Sequence, residues 1–281
     1  MQSIRDIINE PLKPLNTAEF GLYDDEYVAD DQIWCKTCKT PRTVVIGNLR
    51  FRRMCDCEQT VHEREEAERR GKERQEKIIK LQRASLIGER YRSCTFASVQ
   101  TDHNESFARA YSRCAAYCDN TRDVLSNGYG IYLYGSVGTG KTTLTACMAN
   151  KLMQDYRQVL FTSFIEIGKE IRRTFSNNET ESEVVNRIAS IDFLFIDDIG
   201  TEGYVRNGSD TWIQERVYDV INKRYGSKKP TVFSSNYTLN ELVAERGMME
   251  KTVDRIGEMS NAVLHITGEN YRRRATASLP F

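Results

Sequence analysis

The chain contains the stretch Gly130-Ile-Tyr-Leu-Tyr-Gly-Ser-Val-Gly-Thr-Gly-Lys-Thr-Thr143, in which an apolar run leads into a glycine-rich loop and then into a helix-forming segment. We therefore predict a strand, a loop and a helix in that order. The loop matches the pattern G-x-x-x-x-G-K-[ST], whose backbone N–H groups bind phosphates at the N-terminus of a helix. The candidate phosphate-binding residues are Gly135, Ser136, Val137, Gly138, Thr139, Gly140, Lys141, Thr142 and Thr143.

The residue types of this loop each suit nucleotide binding. Glycines let the backbone approach the phosphates, Lys141 reaches the β- and γ-phosphates, and the hydroxyl of Thr142 binds Mg²⁺. An ordinary glycine-rich turn is the alternative, but it would not need a strand before it and a helix after it. The sequence therefore predicts ATP and Mg²⁺ as cofactors.

The composition is typical of a soluble globular protein. The 281 residues are 40% hydrophobic and 28% charged, with a formal net charge of zero, enough for one large or two modest domains. No apolar run approaches the roughly 20 residues that span a bilayer, and the N-terminus lacks the apolar core of a signal peptide. We expect a cytoplasmic protein without membrane contact, in which any nucleic-acid contact comes from a local basic patch.

A second chemical signature follows the loop. The apolar run Phe193-Leu-Phe-Ile196 ends in two acids, Asp197 and Asp198. Carboxylates at the end of a buried strand lie beside the phosphate loop, so we expect Asp197 to hold Mg²⁺ and Asp198 to orient or deprotonate the attacking water. Asn236 follows the next apolar run, and its amide would hold the water or the γ-phosphate. The alternative for Asn236 is an Asn-initiated turn.

Further apolar runs alternate with helix-like segments after the loop. They begin at Val159, Phe193, Val232 and Val263. Strands that alternate with helices predict an α/β fold whose parallel sheet is covered by helices on both faces.

The eight cysteines fall into two groups. Cys114 and Cys118 share the spacing of one helix face with Phe107 and Ala110, so we expect them to be reduced core residues. Cys94 and Cys147 receive the same interpretation, since no histidine or second thiol pair accompanies them.

The other four cysteines form two knuckles, Cys35-x-x-Cys38 and Cys55-x-Cys57. They flank a predicted hairpin with its turn at Gly47-Asn48, which would bring the four thiolates together. That set matches a closed, tetrahedral, structural Zn²⁺ site. A redox pair or an incidental cluster are the alternatives. His62 is the reserve ligand, or a solvated residue at the start of a helix.

We expect three parts along the chain. Residues 1–60 form a zinc-binding domain, residues 61–90 a charged helical linker with Glu and Arg or Lys at helix-stabilising spacing, and residues 91–281 the phosphate-binding domain. The first 34 residues carry eight acids and two bases, which disfavours nucleic acid as their partner. Their apolar residues would dock on another protein or pack on the next module.

Residues 91–274 resemble the AAA+ ATPases of the DnaC/DnaI type, the replicative helicase loaders of bacteria and phages, with the transposition ATPase IstB as a close relative. Besides the loop, the acids and Asn236, residues 91–96, 163–175, 253–256 and 271–274 carry the resemblance. It implies that Asn236 is the sensor 1 residue, Arg255 the arginine finger that reaches a neighbouring subunit, and Arg272 the sensor 2 arginine. Arg246 and Arg273 are the alternatives to Arg255 and Arg272 for these arginine roles.

The resemblance has two departures. Asp198 stands where many AAA+ proteins have Glu, and the shorter side chain would slow hydrolysis. Too few residues follow the last predicted strand to form a helical lid, as in loaders of this type. The cysteine module is similar to the helicase-docking N-terminal domain of the DnaI branch, although four cysteines replace a His-containing ligand set.

The resemblance also implies a DNA channel. In such loaders the helix after the second strand lines a channel for single-stranded DNA, and here Lys169, Arg172, Arg173 and Phe175 supply charge and a stacking ring. The alternative is an amphipathic helix with a solvated basic face.

The expected function is ATP-dependent loading of a hexameric DnaB-type replicative helicase onto single-stranded DNA, with self-association into an ATP-dependent oligomer. Three alternatives stay open. The first is an IstB-like transposition helper ATPase, which the acidic, zinc-bearing N-terminus argues against. The second is a P-loop kinase, for which no acceptor pocket is evident. The third is a zinc-dependent adaptor that binds ATP only as a switch.

Overall fold

The computed structural model describes residues 15, 21–46, 49–101, 104–176, 179–201 and 208–270. The chain forms two compact units, Met1–Gln75 and Glu76–Phe281. Their boundary falls inside one helix, α1 (Asp56–Ala84), which contains most of the predicted linker and buries none of its residues. These units do not test the three-part division at residues 60 and 90, which stays a prediction. Within the described residues, no helix is long and apolar enough to cross a bilayer.

The first unit contains two antiparallel hairpins. They pair β1 (Glu26–Ala29) with β2 (Gln32–Cys35), and β3 (Thr43–Ile46) with β4 (Leu49–Arg52). The arms of the second hairpin confirm the predicted extended segments, while its turn at residues 47–48 lies outside the described residues. The first hairpin was not predicted. It turns through Asp30 and Asp31, which both have positive φ, as the type I′ turn between twisted strands requires.

Buried charge stabilises this first unit. The side chain of Glu26 is fully buried and pairs with Arg42 at 3.2 Å and with Arg52 at 2.6 Å. Burial by itself raises the pKa of Glu26, but hydrogen bonds from Arg52, the N–H of Tyr23 and Arg42 outweigh it and lower the pKa to about 2. Glu26 is therefore a carboxylate that links the two hairpins, since it lies on β1 while Arg52 lies on β4.

The second unit is built on a five-stranded sheet with the order β6-β7-β8-β5-β9, in which every neighbouring pair is parallel. This confirms the predicted α/β fold. The strands are β5 (Gly130–Tyr134), β6 (Val159–Ser163), β7 (Phe193–Ile199), β8 (Thr231–Ser235) and β9 (Ser260–His265), and the helices are α2 (Glu105–Asp119), α3 (Thr121–Asn127), α4 (Lys141–Gln154), α5 (Phe164–Arg172), α6 (Glu181–Ser190), α7 (Gly208–Gly226), α8 (Leu239–Ala244) and α9 (Glu250–Met259).

Helices cover both faces of this sheet because successive strand residues point to opposite faces. On β5, Ile131 and Leu133 join the core formed with α2 and α4, whereas Tyr132 joins the core formed with α5, α6, α7 and α9. Cys114 and Cys118 are buried in the first of these cores, Cys94 packs against it, and Cys147 is buried on α4. The prediction that these four cysteines are core residues is therefore confirmed.

A buried cation fixes one corner of the second core. Arg224, in the last turn of α7, has no exposed surface, and burial lowers its pKa to about 9. Its Nε donates to the hydroxyl of Thr231 at 2.9 Å. Its two terminal nitrogens donate to the carbonyl oxygens of Ile188, Ala189, Ile191, Asp192 and Pro230. Arg224 thus joins the end of α6 to the beginning of β8.

Candidate functional site

The candidate nucleotide site lies at the carboxyl edge of the sheet between β5 and β8. β5 and β8 are neighbours in the sheet, and their connections, from β5 to β6 and from β8 to β9, run in opposite directions along it. Open α/β sheets bind ligands outside the carboxyl ends of their strands. The phosphate loop connects β5 to α4, which begins at Lys141, and the predicted strand, loop and helix are confirmed.

The loop uses glycine where no other residue fits. Gly135 has a φ of 149°, and a Cβ added there would lie 2.0 Å from the carbonyl oxygen of Ile266. Gly138 and Gly140 have φ values of 85° and 95°, in the left-handed region that favours glycine. The close approach of Ile266, which directly follows β9, is a packing reason for Gly135 that the motif alone does not reveal.

Lys141 and Asn236 meet at this edge. Lys141 is 5% exposed, and its Nζ donates to the carbonyl oxygens of Gly135 at 2.7 Å and Ser136 at 2.9 Å. It also donates to Oδ1 of Asn236 at 2.8 Å. The structure thus brings together two candidate residues that follow separate strands, β5 and β8, and were inferred from separate motifs.

The two acids lie at a β-bulge. Ile196 pairs with Phe233, but Ile199 pairs with Ser235, so β7 contains one residue more than β8 over this interval. Asp198 has a φ of 58°, a left-handed conformation that aspartate tolerates better than most residues. Asp197 is half-buried and Asp198 is exposed, so the acids differ in environment although they are adjacent in sequence.

Burial raises the pKa of Asp197, and the charge of Asp198 adds to that effect, whereas the hydrogen bond from the hydroxyl of Ser234, the hydroxyl of Thr142 and the charge of Lys141 oppose it. Thr142, at the start of α4, and Asp197 line one cleft, which places a hydroxyl and a carboxylate at the same site. These are two oxygen donors of the kind that Mg²⁺ prefers.

A cleft of about 910 Å³ opens at this edge. Thr142, Asp197 and Asp198 line it together with apolar side chains such as Leu160 and Ile188. The acids are therefore reachable from outside the protein.

The segment after β7 contains contacts that the sequence did not predict. Arg246 donates to the carbonyl oxygens of Gly200 at 2.5 Å and Thr201 at 2.9 Å, and lies 4.9 Å from the ring centroid of Tyr237. Asn236 Nδ2 lies at 3.5 Å from the hydroxyl of Thr201. Arg246, considered above as an alternative finger, thus contacts the segment that follows the acids of its own subunit.

Arg255 lies on α9, away from the phosphate loop and the two acids. Its guanidinium pairs with Glu258 and stacks on the ring of Tyr225 at 4.4 Å. Tyr225 is in the last turn of α7, close to the amino end of β8, whereas the phosphate loop follows the carboxyl end of β5. The structure therefore does not bring Arg255 to its own loop. Arg272 and Arg273 lie outside the described residues.

The basic residues proposed for the DNA channel are largely paired within the chain. Lys169 pairs with Glu166 at 2.6 Å, and Arg173 pairs with Glu170 at 2.8 Å. Arg172 lies 5.2 Å from the ring centroid of Trp212. Nothing is described of the Phe175 side chain. The glutamates on the same helix reduce the positive charge that the sequence suggested.

The four N-terminal cysteines converge. The Sγ atoms of Cys35, Cys38, Cys55 and Cys57 all lie within 4.8 Å of one another, and a tetrahedral zinc site with Zn–S bonds of about 2.3 Å needs sulfur atoms about 3.8 Å apart. Arg42 Nη2 lies 3.7 Å from Cys35 Sγ. His62 is exposed on α1 and is not part of the cluster. The donor set suits a structural zinc ion.

A glycine-rich loop that follows a parallel strand, with its lysine beside an amide from the end of the neighbouring strand, defines a P-loop nucleotide-binding protein. The family described as IstB-like ATP binding protein matches residues 59–278. Because this match covers most of the chain, the chain belongs to that family and is an ATP-binding ATPase. The four clustered cysteines lie outside the matched residues.

The chain is similar to known replicative helicase loaders. It is 27% identical to DnaC of Buchnera aphidicola subsp. Baizongia pistaciae over 206 residues. This alignment covers 72% of this chain and 79% of that protein. It is 30% identical to DnaI of Bacillus subtilis over 156 residues. This alignment covers 52% of this chain and 48% of that protein. The crystal structure of the DnaC helicase loader shares the fold, with a TM-score of 0.53, 21% identity and coverage of 64% of this chain and 99% of the other.

Proposed function

We propose that the chain is an ATP-dependent loader that delivers a hexameric, DnaB-type replicative helicase to single-stranded DNA. The similarity to DnaC over 72% of the chain carries this proposal. The relatives named above are loaders, which favours this function over transposition, a kinase reaction or a non-hydrolysing adaptor.

The nucleotide site has a defined set of roles in this proposal. The loop residues 135–143 bind the phosphates, and Lys141 contacts the β- and γ-phosphates. Thr142 and Asp197 would hold Mg²⁺, since both line the same cleft beside the loop. When bound, the ion neutralises charge on the phosphates. Asp198 accepts the proton of the attacking water, and Asn236 orients that water or the γ-phosphate.

The arginines complete the proposal. Arg255 contacts the nucleotide of a neighbouring subunit, because its guanidinium lies at the opposite end of the sheet from its own loop. Hydrolysis then requires self-association into an oligomer. Arg272 is the sensor 2 residue in this proposal.

The N-terminal part is the docking module. Cys35, Cys38, Cys55 and Cys57 would hold Zn²⁺, whose role when bound is structural. We assign residues 1–60 to helicase docking, residues 61–90 to a helical linker and residues 91–281 to the ATPase. The acidic composition of residues 1–34 favours a protein partner over DNA.

The test uses closed circular single-stranded DNA, onto which a preformed helicase ring cannot thread. Candidate bacterial helicases are mixed with the full chain and ATP, and the DNA-bound helicase is measured after gel filtration. We expect loading that depends on ATP and on Lys141. Stable complexes with a transposase, and none with a helicase, would instead establish the transposition function.

A further inference from the structure

Ser234 contacts both acids of the candidate site. It lies on β8, is 0% exposed, and its Oγ donates a hydrogen bond to Oδ1 of Asp197. The same Oγ accepts a hydrogen bond from the backbone N–H of Asp198 at 3.1 Å. A hydroxyl has one proton and two lone pairs, so Ser234 can donate to one acid and accept from the other at the same time.

The bond from the N–H of Asp198 compensates for the β-bulge. The extra residue in β7 shifts the register between Ile196 and Ile199, and a bulge leaves its additional residue out of the regular ladder. A buried N–H without a partner is rare in folded proteins. The Oγ of Ser234 supplies the partner for the N–H of Asp198, whose φ of 58° departs from strand geometry.

The bond to Asp197 restricts the rotation of a carboxylate that is a candidate metal ligand. Metal ligands in proteins are commonly oriented by hydrogen bonds from residues that do not touch the metal. Ser234 holds Asp197 through its side chain and Asp198 through its main chain. One atom therefore sets the relative positions of both acids.

We propose that Ser234 is a positioning residue for the Mg²⁺ and water site, acting through Asp197 and Asp198. This inference rests on the proposed role of Asp197 as a metal ligand. It assigns Ser234 a role that neither the phosphate-loop motif nor the two acids indicate.

The test measures metal affinity and does not rely on turnover. Mn²⁺ replaces Mg²⁺, a slowly hydrolysed ATP analogue saturates the full-length protein, and electron paramagnetic resonance reports free Mn²⁺. Ser234→Ala should weaken Mn²⁺ binding by about tenfold or more, the usual cost of losing such an orienting contact. Ser234→Thr keeps the hydroxyl and should retain affinity within about threefold of the native protein.

Ser235 provides a matched control. It is the next residue on β8 and is also 0% exposed, and its hydroxyl also makes two bonds, donating to the carbonyl oxygen of Ile199 at 2.6 Å and accepting from the N–H of Tyr237 at 3.0 Å. Neither of these bonds involves Asp197 or Asp198. Ser235→Ala should therefore leave Mn²⁺ affinity unchanged, although it removes an equally buried hydroxyl.

The outcomes separate the inference from the proposed function. If Asp197→Asn weakens Mn²⁺ binding but a folded Ser234→Ala variant does not, the positioning role is wrong. Equal losses in Ser234→Ala and Ser235→Ala would show a general effect of disturbing β8 and would also overturn it. If Asp197→Asn binds Mn²⁺ as the native protein does, the assignment of Asp197 as a metal ligand fails first.

Discussion

Replacing Arg255 with alanine should abolish the ATPase activity that depends on assembly and leave ATP binding by the isolated subunit intact. Arg255 contacts Tyr225 near the amino end of β8, whereas the phosphate loop follows the carboxyl end of β5. The five residues of β5 span about 16 Å at roughly 3.3 Å per residue. That separation exceeds the reach of an arginine side chain, so the guanidinium does not reach the loop of its own subunit, and in our proposal it acts on the nucleotide of a neighbour.

The expected size of the effect distinguishes catalysis from folding. Loss of an arginine finger lowers turnover by about 10³ or more, which corresponds to about 4 kcal/mol of transition-state stabilisation. The ion pair between Arg255 and Glu258 is partly exposed, and such pairs contribute at most about 1 kcal/mol to stability. Arg255→Ala should therefore melt almost as the native protein does while its assembled activity nearly disappears.

The assay follows ATP hydrolysis against protein concentration, with helicase and DNA present or absent. Arg255→Ala is also mixed with Lys141→Ala, because the first variant has an intact nucleotide site and the second has an intact finger. Mixed interfaces should recover part of the activity. Lys251→Ala is the matched control, since Lys251 lies on the same helix with its ammonium 4.4 Å from the Tyr218 ring centroid. No recovery on mixing, together with weaker ATP binding by isolated Arg255→Ala subunits, would refute the trans role.

Three further outcomes are expected. Lys141→Ala should sharply lower ATP affinity in equilibrium binding, because Lys141 is the cation of the loop motif; unchanged affinity in a folded variant would contradict the site. Chelation of zinc should unfold the region of residues 35–57, seen by circular dichroism, while ATP still binds; an unchanged spectrum after confirmed metal removal would argue against a structural ion. Arg224→Met should destabilise the ATPase unit by about 3–5 kcal/mol, since it leaves buried carbonyl oxygens without donors. Calorimetry should show a melting temperature lower by roughly 10 °C, and a native-like value would contradict the buried-cation argument.

Local patterns sufficed for much of the fold. The phosphate loop combines a strand, fixed glycines and a helix within residues 130–143, so its geometry depends mainly on neighbours in sequence. The apolar runs of β5, β7 and β8 are continuous because these parallel strands are buried on both faces. The two cysteine pairs flank a hairpin, and this spacing predicts that the four thiols come together. These features were predicted because each is encoded by adjacent residues.

Other features depend on partners distant in sequence. Nothing near Arg224 indicates that it would be buried among the carbonyl oxygens that surround it, because those atoms come from α6 and the start of β8. The bulge at Asp198 arises from the pairing of β7 with β8, which no single strand reveals. The β1–β2 hairpin did have a signal, since Asp30-Asp31 between alternating side chains is a turn-forming pair.

The buried cysteines of α2 and α4 make the protein its own reporter of unfolding. Thiol reagents attack the thiolate, and burial raises the pKa of Cys147 to about 12 and also raises the pKa values of Cys114 and Cys118. These three thiols react only when the ATPase core opens. In our proposal the four cysteines of the N-terminal cluster hold Zn²⁺ and become reactive when it is lost. The order in which a thiol reagent labels the cysteines would then separate opening of the ATPase core from metal release in a single experiment.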